Sequence, residues 1–225
     1  MISVIIPTYN EEKALPGTLT QLSSQTGNYE LIVVDGGSTD RTCEIARAQA
    51  QARLVTARKG RASQMNAGAA NARGEWLLFL HADTVLPEGA LRNLNALESD
   101  QKIQAGGFRH RFSGEDWRLR LISSIDNLRA RVTRIIYGDQ AMFVRRRLFE
   151  QLGGFPPQPF LEDIAFCQSL KRVTKPILLD QHVVTDSRKF VQMGIWRSLV
   201  RCLIILTCHT LRLPLRTRAF FADVR

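Results

Sequence analysis

The chain lacks the features that mark several common classes of protein. No apolar run reaches the roughly 20 residues that a membrane-spanning helix needs. The four cysteines, Cys43, Cys167, Cys202 and Cys208, show no CxxC spacing, which argues against a zinc site or a disulfide framework and suits a reducing cytoplasm. The first residues have neither the basic segment nor the small-residue cleavage site of a signal peptide. We therefore expect a cytoplasmic protein.

Two common devices for holding a nucleotide are also absent. A dinucleotide-binding fingerprint would place GxGxxG after the first strand, and here that turn reads Pro7-Thr8-Tyr9-Asn10-Glu11. A P-loop is missing as well. If the chain binds a nucleotide, it must hold it in another way.

The composition is that of one domain with a strong positive charge. The chain has 225 residues and a formal net charge of +10, and its Lys and Arg excess lies in the second half, in residues 118–134, 145–147 and 188–218. Such clusters suit nucleic acid, anionic lipid or a phosphorylated substrate, or they form a solvated face. Composition does not choose among these.

The segment from Trp76 to Asp83 is the centre of the pattern. Five apolar residues run without a break, and then His81 and Asp83 follow two positions apart. A short apolar run bounded by turn residues is typical of a strand buried on both faces of a parallel sheet. Ligands bind beyond the carboxyl ends of such strands, so His81 and Asp83 are candidates for a metal and phosphate site. Alternatively, Asp83 caps the next turn and His81 packs in the core.

Hydrophobic patterning predicts alternating strands and helices in the first half. The predicted strands are 2–6, 29–34, 53–56 and 76–80, and the predicted helices are 13–25, 40–51 and 62–72. Pro7 is expected to end the first strand and Asn10 to cap the first helix. This β-α-β-α-β-α-β order predicts an α/β fold with a parallel sheet covered by helices on both faces.

The second half is less regular. The predicted strands are 103–112, 141–144 and 177–179, and the predicted helices are 88–97, 116–134, 147–152 and 164–170. The tail beyond residue 190 mixes apolar residues with arginines. A basic helix of this kind can lie in a membrane interface, dock on the sheet or pair with a second subunit, and we favour packing against protein.

Six short segments, taken in order, resemble the family 2 glycosyltransferases. They are Pro7-Thr8-Tyr9-Asn10-Glu11, Asp35-Gly36-Gly37-Ser38-Thr39-Asp40, Gly60-Arg61 with Asn66, His81-Ala82-Asp83, Gly153-Gly154-Phe155 and Glu162-Asp163. The likeness covers residues 1–190 and is nearest to a small bacterial subgroup in which the 60–66 and 138–140 segments recur. It implies a GT-A fold, with a mostly parallel Rossmann-like sheet and a small antiparallel acceptor-side portion over residues 1–190, followed by a basic helical tail over 191–225.

The resemblance also implies a chemistry. An inverting glycosyltransferase moves a sugar from a nucleotide-diphosphate-sugar, here a UDP- or GDP-sugar, to an acceptor hydroxyl or phosphate. A divalent cation would lie at His81 and Asp83, where histidine replaces the first aspartate of the family's Asp-x-Asp signature. Because imidazole suits Mn²⁺ better than Mg²⁺, Mn²⁺ is the expected ion.

The partners implied are a nucleotide-sugar donor and an acceptor that the sequence does not identify. If the basic tail meets lipid, the acceptor is expected to be lipid-linked and the protein peripheral on the inner face of the membrane. A homodimer through the tail is the other possibility, and no nucleic-acid partner is expected. Neither the sugar nor the nucleotide base can be read from the sequence.

The family's site residues carry over by position. The nucleotide-sugar site would take Pro7, Thr8, Tyr9, Glu11, Asp35, Arg61, Asp83 and Arg188. Asp163 matches the catalytic base, which inversion requires on the face opposite the leaving diphosphate, and Glu162 beside it would raise its pKa or bind the acceptor. The pair could instead cap a helix. Asp139 and Gln140 would lie on the acceptor side or make a turn, and Arg188 with Lys189 would assist the phosphates or form a solvated turn.

Two other functions stay open at this point. Replacement of the first signature aspartate by His81 would suit a scaffold whose chemistry has lapsed and which binds RNA or an anionic surface. Retention of Asp35, Asp83 and Asp163 favours the enzyme. A nucleotidyltransferase would need a Gly-rich basic loop after the first strand, which is missing. The glycosyltransferase hypothesis requires Asp83 and Asp163 to converge on one crevice.

Overall fold

The structure is a computed structural model and describes residues 1–158 and 160–210. Within these ranges the strands are β1 (Ile2–Thr8), β2 (Tyr29–Asp35), β3 (Ala52–Thr56), β4 (Trp76–Phe79), β5 (Thr84–Val85), β6 (Ala105–Phe112), β7 (Phe143–Arg145) and β8 (Ile177–Thr185). The α-helices are α1 (Leu15–Ser23), α2 (Thr42–Ala48), α3 (Arg61–Ala70), α4 (Ala90–Ala96), α5 (Trp117–Thr133), α6 (Arg146–Gln151), α7 (Glu162–Leu170), α8 (Arg188–Gln192) and α9 (Ile195–Thr210).

The strands form one sheet in the order β3-β2-β1-β4-β7-β6-β8-β5. β1, β2, β3 and β4 are parallel, as their alternation with helices predicts. β7 is antiparallel to β4 and β6, and β5 is antiparallel to β8. The predicted α/β class with a mainly parallel sheet and a smaller antiparallel portion is therefore confirmed.

The sheet separates two hydrophobic cores, because successive side chains of a strand point to opposite faces. Val4 and Ile6 of β1 lie in one core with α1 and α4. Ile5 lies in the other core with α3 and α7. α3 packs so closely that a Cβ on Gly68 would stand 2.3 Å from Ile5 Cγ2. Helices thus cover both faces of the central strands.

The first strand does not end at Pro7 as predicted. β1 continues to Thr8, and Pro7 pairs with Val34 of β2. Pairing of β1 with β4 stops at Ile5, whose carbonyl accepts a hydrogen bond from the Leu80 N–H. The backbone nitrogen of Pro7, two residues after Ile5, faces the same side of β1, where β4 no longer pairs with it. Its missing N–H therefore costs no ladder hydrogen bond.

The prediction that Asn10 caps α1 is also wrong. The helix begins at Leu15 after Ala14, which makes no side-chain cap. Asn10 instead adopts a left-handed backbone with φ of 54°, and its side-chain oxygen accepts from the Thr39 N–H at 2.8 Å. The side chain is used to join the β1 and β2 loops.

The second half departs most from the predicted elements. β8 extends to Thr185, whereas the predicted strand ended at residue 179. The prediction stopped there because Asp180, Gln181 and His182 interrupt the apolar run at the exposed middle of the strand. β5 has only two residues and was not predicted.

Helix α5 covers the part of β6 that extends beyond β7. The Asn127 side chain exchanges two hydrogen bonds, both 2.8 Å long, with the backbone of His110. Ser123 Oγ accepts from the Phe112 N–H at 3.2 Å. These side chains supply the partners that a neighbouring strand would give, so the edge of β6 is closed.

The predicted tail begins as a helix that packs by one face. Ile195, Ser198 and Ile205 of α9 are buried, and Ser198 Oγ donates to the Phe190 carbonyl at 3.1 Å. Residues 211–225 lie outside the described residues, so the division into a domain over 1–190 and a tail over 191–225 stays a prediction. Among the helices of residues 1–158 and 160–210, none combines the length and apolarity needed to cross a bilayer.

Candidate active site

The candidate site lies at the carboxyl ends of β1, β2 and β4, where open α/β sheets bind ligands. Thr8 and Asp35 are paired at the ends of β1 and β2. Thr8 is buried and its hydroxyl donates to the Val34 carbonyl at 3.3 Å, so it joins the strand ends. Pro7 and Glu11 are partly buried on either side of it, and the Glu11 N–H donates to Thr42 Oγ1 at 2.8 Å.

Asp35 is held in place by the loop that follows it. Its carboxylate accepts from the Gly37 and Ser38 N–H groups at 2.8 and 2.9 Å, and from the Ser38 hydroxyl. Burial would raise the pKa of Asp35, but these hydrogen bonds outweigh burial and lower it. Asp35 is therefore a fixed negative charge at the floor of the crevice.

Gln64 of α3 connects these strand ends to the helix. The residue is buried, and its Nε2 donates to the carbonyls of Thr8 and Val34 at 2.7 and 3.0 Å. A Cβ on Gly36 would stand 3.0 Å from the Gln64 amide, so the β2 loop passes directly over it. The sequence analysis did not assign Gln64 a role, although it lies in the recurring 60–66 segment.

The Tyr9 ring is partly buried and carries a positive charge on one face. Lys59 Nζ lies 3.6 Å from the centroid of the ring, at a distance typical of a cation–π contact. Lys59 was not predicted as a site residue. Its position directly before Gly60 and Arg61 was the available signal.

Asp83 is partly buried just after β4, next to the residues that follow β8. Its carbonyl accepts from the Asp186 N–H at 3.0 Å. The Asp186 carboxylate in turn accepts from Arg188, through its N–H at 2.8 Å and its Nε at 2.5 Å. The structure therefore pairs Arg188 with Asp186, whose N–H bonds to the Asp83 carbonyl, and no sequence pattern pointed to Asp186.

His81 and Asp163 meet at Gly138, in a 3-10 turn over Gly138–Gln140. Asp163 Oδ2 accepts from the Gly138 N–H at 2.7 Å. A Cβ built on Gly138 would lie 2.6 Å from His81 Nε2 and 3.5 Å from Asp163 Oδ2. Residues 82 positions apart in the chain therefore flank one glycine, and the Asp163 carboxylate lies beside the segment that carries Asp83.

Glu162 connects this end of the crevice to α3. Its side chain is 3% exposed, and Oε1 lies 3.8 Å from Arg61 Nε, a side chain that is 53% exposed. Asp163 Oδ1 accepts from the Ile164 N–H at 2.8 Å. The first turns of α3 and α7 thus face each other, and the cap position of α7 is Leu161 rather than either carboxylate.

Left-handed backbone is concentrated around the site. Ala141 and Leu161 have φ of 45° and 58°, values that are unfavourable for residues with a side chain. They follow the 3-10 turn and precede Glu162, respectively. Such strain is typical of functional segments, and here the two residues adjoin the 3-10 turn that carries Asp139 and the start of α7, which carries Asp163.

The 153–155 loop is tied to α3 by one side chain. Asn66 Nδ2 donates to the Phe155 carbonyl at 2.8 Å, and Asn66 Oδ1 accepts from the Phe155 N–H at 2.9 Å. A Cβ on Gly154, whose φ is 74°, would lie 2.7 Å from Asn66 Oδ1. This explains why Gly153-Gly154-Phe155 and Asn66 belong to the same pattern.

Asp139 and Gln140 take different positions. Asp139 Oδ2 lies 3.8 Å from Nε2 of the buried His110; burial raises the pKa of Asp139, and the His110 imidazole opposes the shift. Gln140 is fully buried, and its Oε1 accepts from the Tyr137 N–H and Arg129 at 3.0 and 3.3 Å. Gln140 therefore stabilises the turn, and the partly buried Asp139 faces His110.

The site suits a cation that takes only part of its ligands from protein. Within the part of the chain that the structure describes, no three His, Cys, Asp or Glu side chains are grouped as a metal site. Asp83 and Asp186 offer oxygen ligands on adjacent segments. One or two carboxylates complemented by substrate phosphates are a common arrangement for Mg²⁺.

The chain matches a known protein family. The model of glycosyl transferase family 2 matches residues 3–155. The chain belongs to this family. The match includes β1 to β7 and ends at the Gly153-Gly154-Phe155 loop, so the segment with Asp163 lies beyond it.

Two bacterial relatives illustrate the sequence similarity. A PGL/p-HBAD biosynthesis glycosyltransferase of Mycobacterium bovis is 46% identical over 95 residues, which is 39% of this chain and 37% of the relative. An undecaprenyl-phosphate 4-deoxy-4-formamido-L-arabinose transferase of Photorhabdus laumondii is 37% identical over 97 residues, or 38% of this chain and 30% of the relative. The family 2 chain thus spans about a third of the length of these relatives.

Two solved structures illustrate the similarity of fold. The mannosyltransferase PcManGT from Pyrobaculum calidifontis, in complex with GDP-Man and Mn²⁺, gives a TM-score of 0.73 at 23% identity and covers 95% of this chain and 65% of its own. TarS 1-349 from S. aureus in complex with UDP gives a TM-score of 0.66 at 20% identity, over 82% of this chain and 60% of its own. At these identities the likeness establishes the GT-A fold.

Proposed function

We propose that the chain is an inverting glycosyltransferase that moves a sugar from a nucleotide-diphosphate-sugar to an acceptor hydroxyl or phosphate. The observation that carries the proposal is the set of contacts that links residues from distant parts of the chain. Arg61 contacts Glu162, Asp163 binds the Gly138 N–H, and Gly138 packs against His81. This proximity supports a common site for the residues assigned to the donor and to the acceptor.

In this proposal the nucleoside binds between the β1 and β2 loops. Asp35 accepts hydrogen bonds from the base or ribose, and Tyr9 with Lys59 forms the wall of the pocket. Arg61 and Lys59 place positive charge near the departing diphosphate. Charge that develops on a leaving group is stabilised when such side chains are fixed beforehand.

Asp163 is the proposed base. The acceptor oxygen forms a bond to the anomeric carbon while the bond to the diphosphate oxygen breaks, and the proton of the acceptor hydroxyl passes to the Asp163 carboxylate. Backbone N–H groups of Gly138 and Ile164 hold this carboxylate at 2.7 and 2.8 Å. Glu162 is paired with Arg61, so we assign it to positioning.

A divalent cation would be held by Asp83, with His81 as the second candidate ligand. When bound, the ion supplies positive charge that stabilises the leaving diphosphate. The Mn²⁺ in the PcManGT complex and the histidine at position 81 both support Mn²⁺ as the ion to test first. Arg188 would join the phosphates only after release from Asp186.

The acceptor is proposed to be lipid-linked, and the protein to work in the cytoplasm. The Photorhabdus relative is named as an undecaprenyl-phosphate transferase, and α9 carries arginines between apolar residues. The lapsed scaffold is not favoured, since membership of the family and the approach of His81 and Asp163 to Gly138 both support sugar transfer.

The proposal is tested first by nucleotide binding. UDP and GDP are added with and without Mn²⁺ or Mg²⁺, and the melting temperature is recorded. A ligand that binds only the native state stabilises it, so one nucleoside diphosphate should raise the melting temperature in a metal-dependent way. Absence of any shift with either base would contradict the proposal. Hydrolysis of a panel of UDP-, GDP- and dTDP-sugars then identifies the donor.

The base is tested by Asp163→Asn. The variant should lose transfer activity while keeping the nucleotide-induced rise in melting temperature, because Asn keeps the size of the side chain but cannot take the proton. Glu88→Gln, an exposed carboxylate before α4, is the matched control and should leave both unchanged. Retained transfer in Asp163→Asn would assign the base elsewhere.

A further inference from the structure

Helix α5 presents a stripe of large apolar side chains to solvent. Trp117, Leu121, Ile125, Leu128 and Val132 are 65%, 44%, 59%, 62% and 73% exposed, respectively. At 3.6 residues per turn they fall within about 80° of the helix circumference. Single exposed apolar residues are common on protein surfaces, but a continuous patch of them marks an interaction site.

Arginines border this α5 stripe. Arg120 and Arg131 are exposed and lie along one side of it, and the exposed Arg134 directly follows the end of the helix. Arg118 lies on the other side and pairs with Asp116 at 2.6 Å. Trp117 stands at one end, and tryptophan is enriched where membranes meet water. An apolar stripe with a basic border is the pattern of helices that lie in the surface of an anionic membrane.

A basic pocket adjoins the stripe on the β6 and β8 side. It has a volume of about 280 Å³ and is lined by Arg109, Ser124, Asn127, Leu128, Arg131 and His182. Leu128 belongs to both surfaces. Arg109 and Arg131 approach Asp180 at 2.6 and 3.5 Å, which leaves two positive charges against one negative charge.

The positive charges around the basic pocket affect its histidine, His182. Partial loss of water contact and the charges of Arg109 and Arg111 lower the pKa of His182. The basic pocket therefore has a positive potential that an anionic group would relieve. Its position next to the apolar stripe suits a ligand with a negative head and an apolar body.

We propose that the α5 stripe and its basic pocket dock the protein on the surface of an anionic phospholipid bilayer, with apolar side chains in the acyl boundary and arginines at the phosphates. A second copy of the chain fits less well, because a two-fold interface joins identical patches and would bring the arginine borders together. The inference goes beyond the proposed function, since it concerns where the protein binds and needs no sugar transfer.

The test is flotation of the full chain with vesicles, without donor or metal. One vesicle contains equal parts of phosphatidylcholine and phosphatidylglycerol, and the other contains phosphatidylcholine alone. We expect binding to the anionic vesicle, weaker at high salt because surface charges are then screened. The double variant Ile125→Ser/Leu128→Ser should bind at least about tenfold more weakly, since two large apolar groups no longer leave water on binding.

Two controls separate α5 from other surfaces. Val173→Ser changes an apolar residue that is 59% exposed on a different turn and should bind like the unchanged chain. Trp196→Ser/Val200→Ser changes exposed residues of α9. Binding that is lost in this α9 variant but kept in the α5 variant would overturn the proposal.

Two further outcomes would also overturn it. One is that the chain does not float with anionic vesicles. The other is a dimer in solution that the α5 variant converts to monomers, which would make the stripe a subunit interface. Nucleotide-induced thermal shifts in the same variants report on the donor site separately, so failure of membrane docking does not count against sugar transfer.

Discussion

At the scale of single residues, Gly138 explains how two candidate site residues come together. His81 Nε2 and Asp163 Oδ2 both lie close to the position that its Cβ would occupy, at 2.6 and 3.5 Å. A side chain there would separate them or displace the 3-10 turn. The absence of a side chain at residue 138 is therefore part of the proposed active site.

We predict that Gly138→Ala lowers transfer by about 10- to 100-fold, since small displacements of reacting groups cost rates of this order. Nucleotide-induced thermal shifts should change less, because the nucleoside pocket lies at the β1 and β2 loops. The control is Gly17→Ala, where a Cβ meets nothing within 4 Å. Equal activity in the two variants would show that the contact of His81 with residue 138 has no catalytic importance.

Asp139 gives a prediction about pH. Burial raises its pKa, partly opposed by His110, whereas in the unfolded chain the carboxyl returns to its ordinary value of 3.8. Between these values the native state binds more protons than the unfolded state, so this residue's contribution to stability falls as the pH rises. Asp139→Asn should therefore be more stable than the original chain at neutral pH.

The measurement is urea unfolding at a series of pH values. The stability advantage of Asp139→Asn should shrink as the pH falls through the raised pKa of Asp139, and it should vanish below 3.8, where the original side chain is protonated in both states. An advantage that does not vary with pH would mean that the substitution acts through packing instead.

At the scale of elements, α3 organises the site. Its first residue Arg61 reaches Glu162, Gln64 joins the ends of β1 and β2, Asn66 holds the Phe155 loop, and Gly68 allows the close approach to β1. One ten-residue helix therefore contacts α7, the ends of β1 and β2 and the Phe155 loop, and it packs closely on β1.

We predict that Gln64→Met destabilises the fold by about 1–3 kcal/mol, the cost of leaving buried polar groups without their hydrogen bonds. Urea unfolding gives the value, and the nucleotide-induced thermal shift should weaken with it, because the β1 and β2 ends are no longer joined. Met65→Leu is the control on the same helix. It keeps the volume of a buried side chain and should cost less than about 1.5 kcal/mol.

At the scale of the whole molecule, Arg145 joins the parallel half of the sheet to the second half. The residue ends β7 and is 4% exposed. Its guanidinium pairs with Glu75, lies 4.3 Å from the Trp76 ring, and donates to the carbonyls of Leu97, Glu98, Asp100 and Ile103. A single buried side chain thus provides hydrogen-bond donors for the carbonyls of the loop that leads into β6.

Arg145→Met should lower the free energy of unfolding by about 3 kcal/mol or more, because several partly buried carbonyls lose their hydrogen-bond donor at once. Urea unfolding measures this. Arg41→Met, which removes a surface pair with Glu44 whose side chains are 71% and 64% exposed, should cost no more than about 1 kcal/mol. Similar costs in the two variants would argue that Arg145 is not a structural centre.

Local sequence patterns predicted the structure correctly where the side chains of a segment themselves determine its conformation. The apolar runs ending at Val34 and Leu80 predicted central parallel strands, and the segments after them carried the family resemblance that the match over residues 3–155 confirms. Hydrophobic patterning failed where the conformation of a segment depends on partners that are distant in the chain. β8 is polar in its exposed middle, and Pro7 is tolerated only because β4 has already left that side of β1.

The sequence by itself determined the α/β class, the alternation of the first four strands with helices and the family, because apolar periodicity and turn chemistry are local properties of the chain. Only the tertiary structure decided which groups meet. It placed Arg61 against Glu162, brought His81 and Asp163 to Gly138, paired Arg188 with Asp186, and left the apolar stripe of α5 facing outwards. Such contacts depend on how elements pack across the sheet, and residues far apart in the chain carry no local signal of that packing.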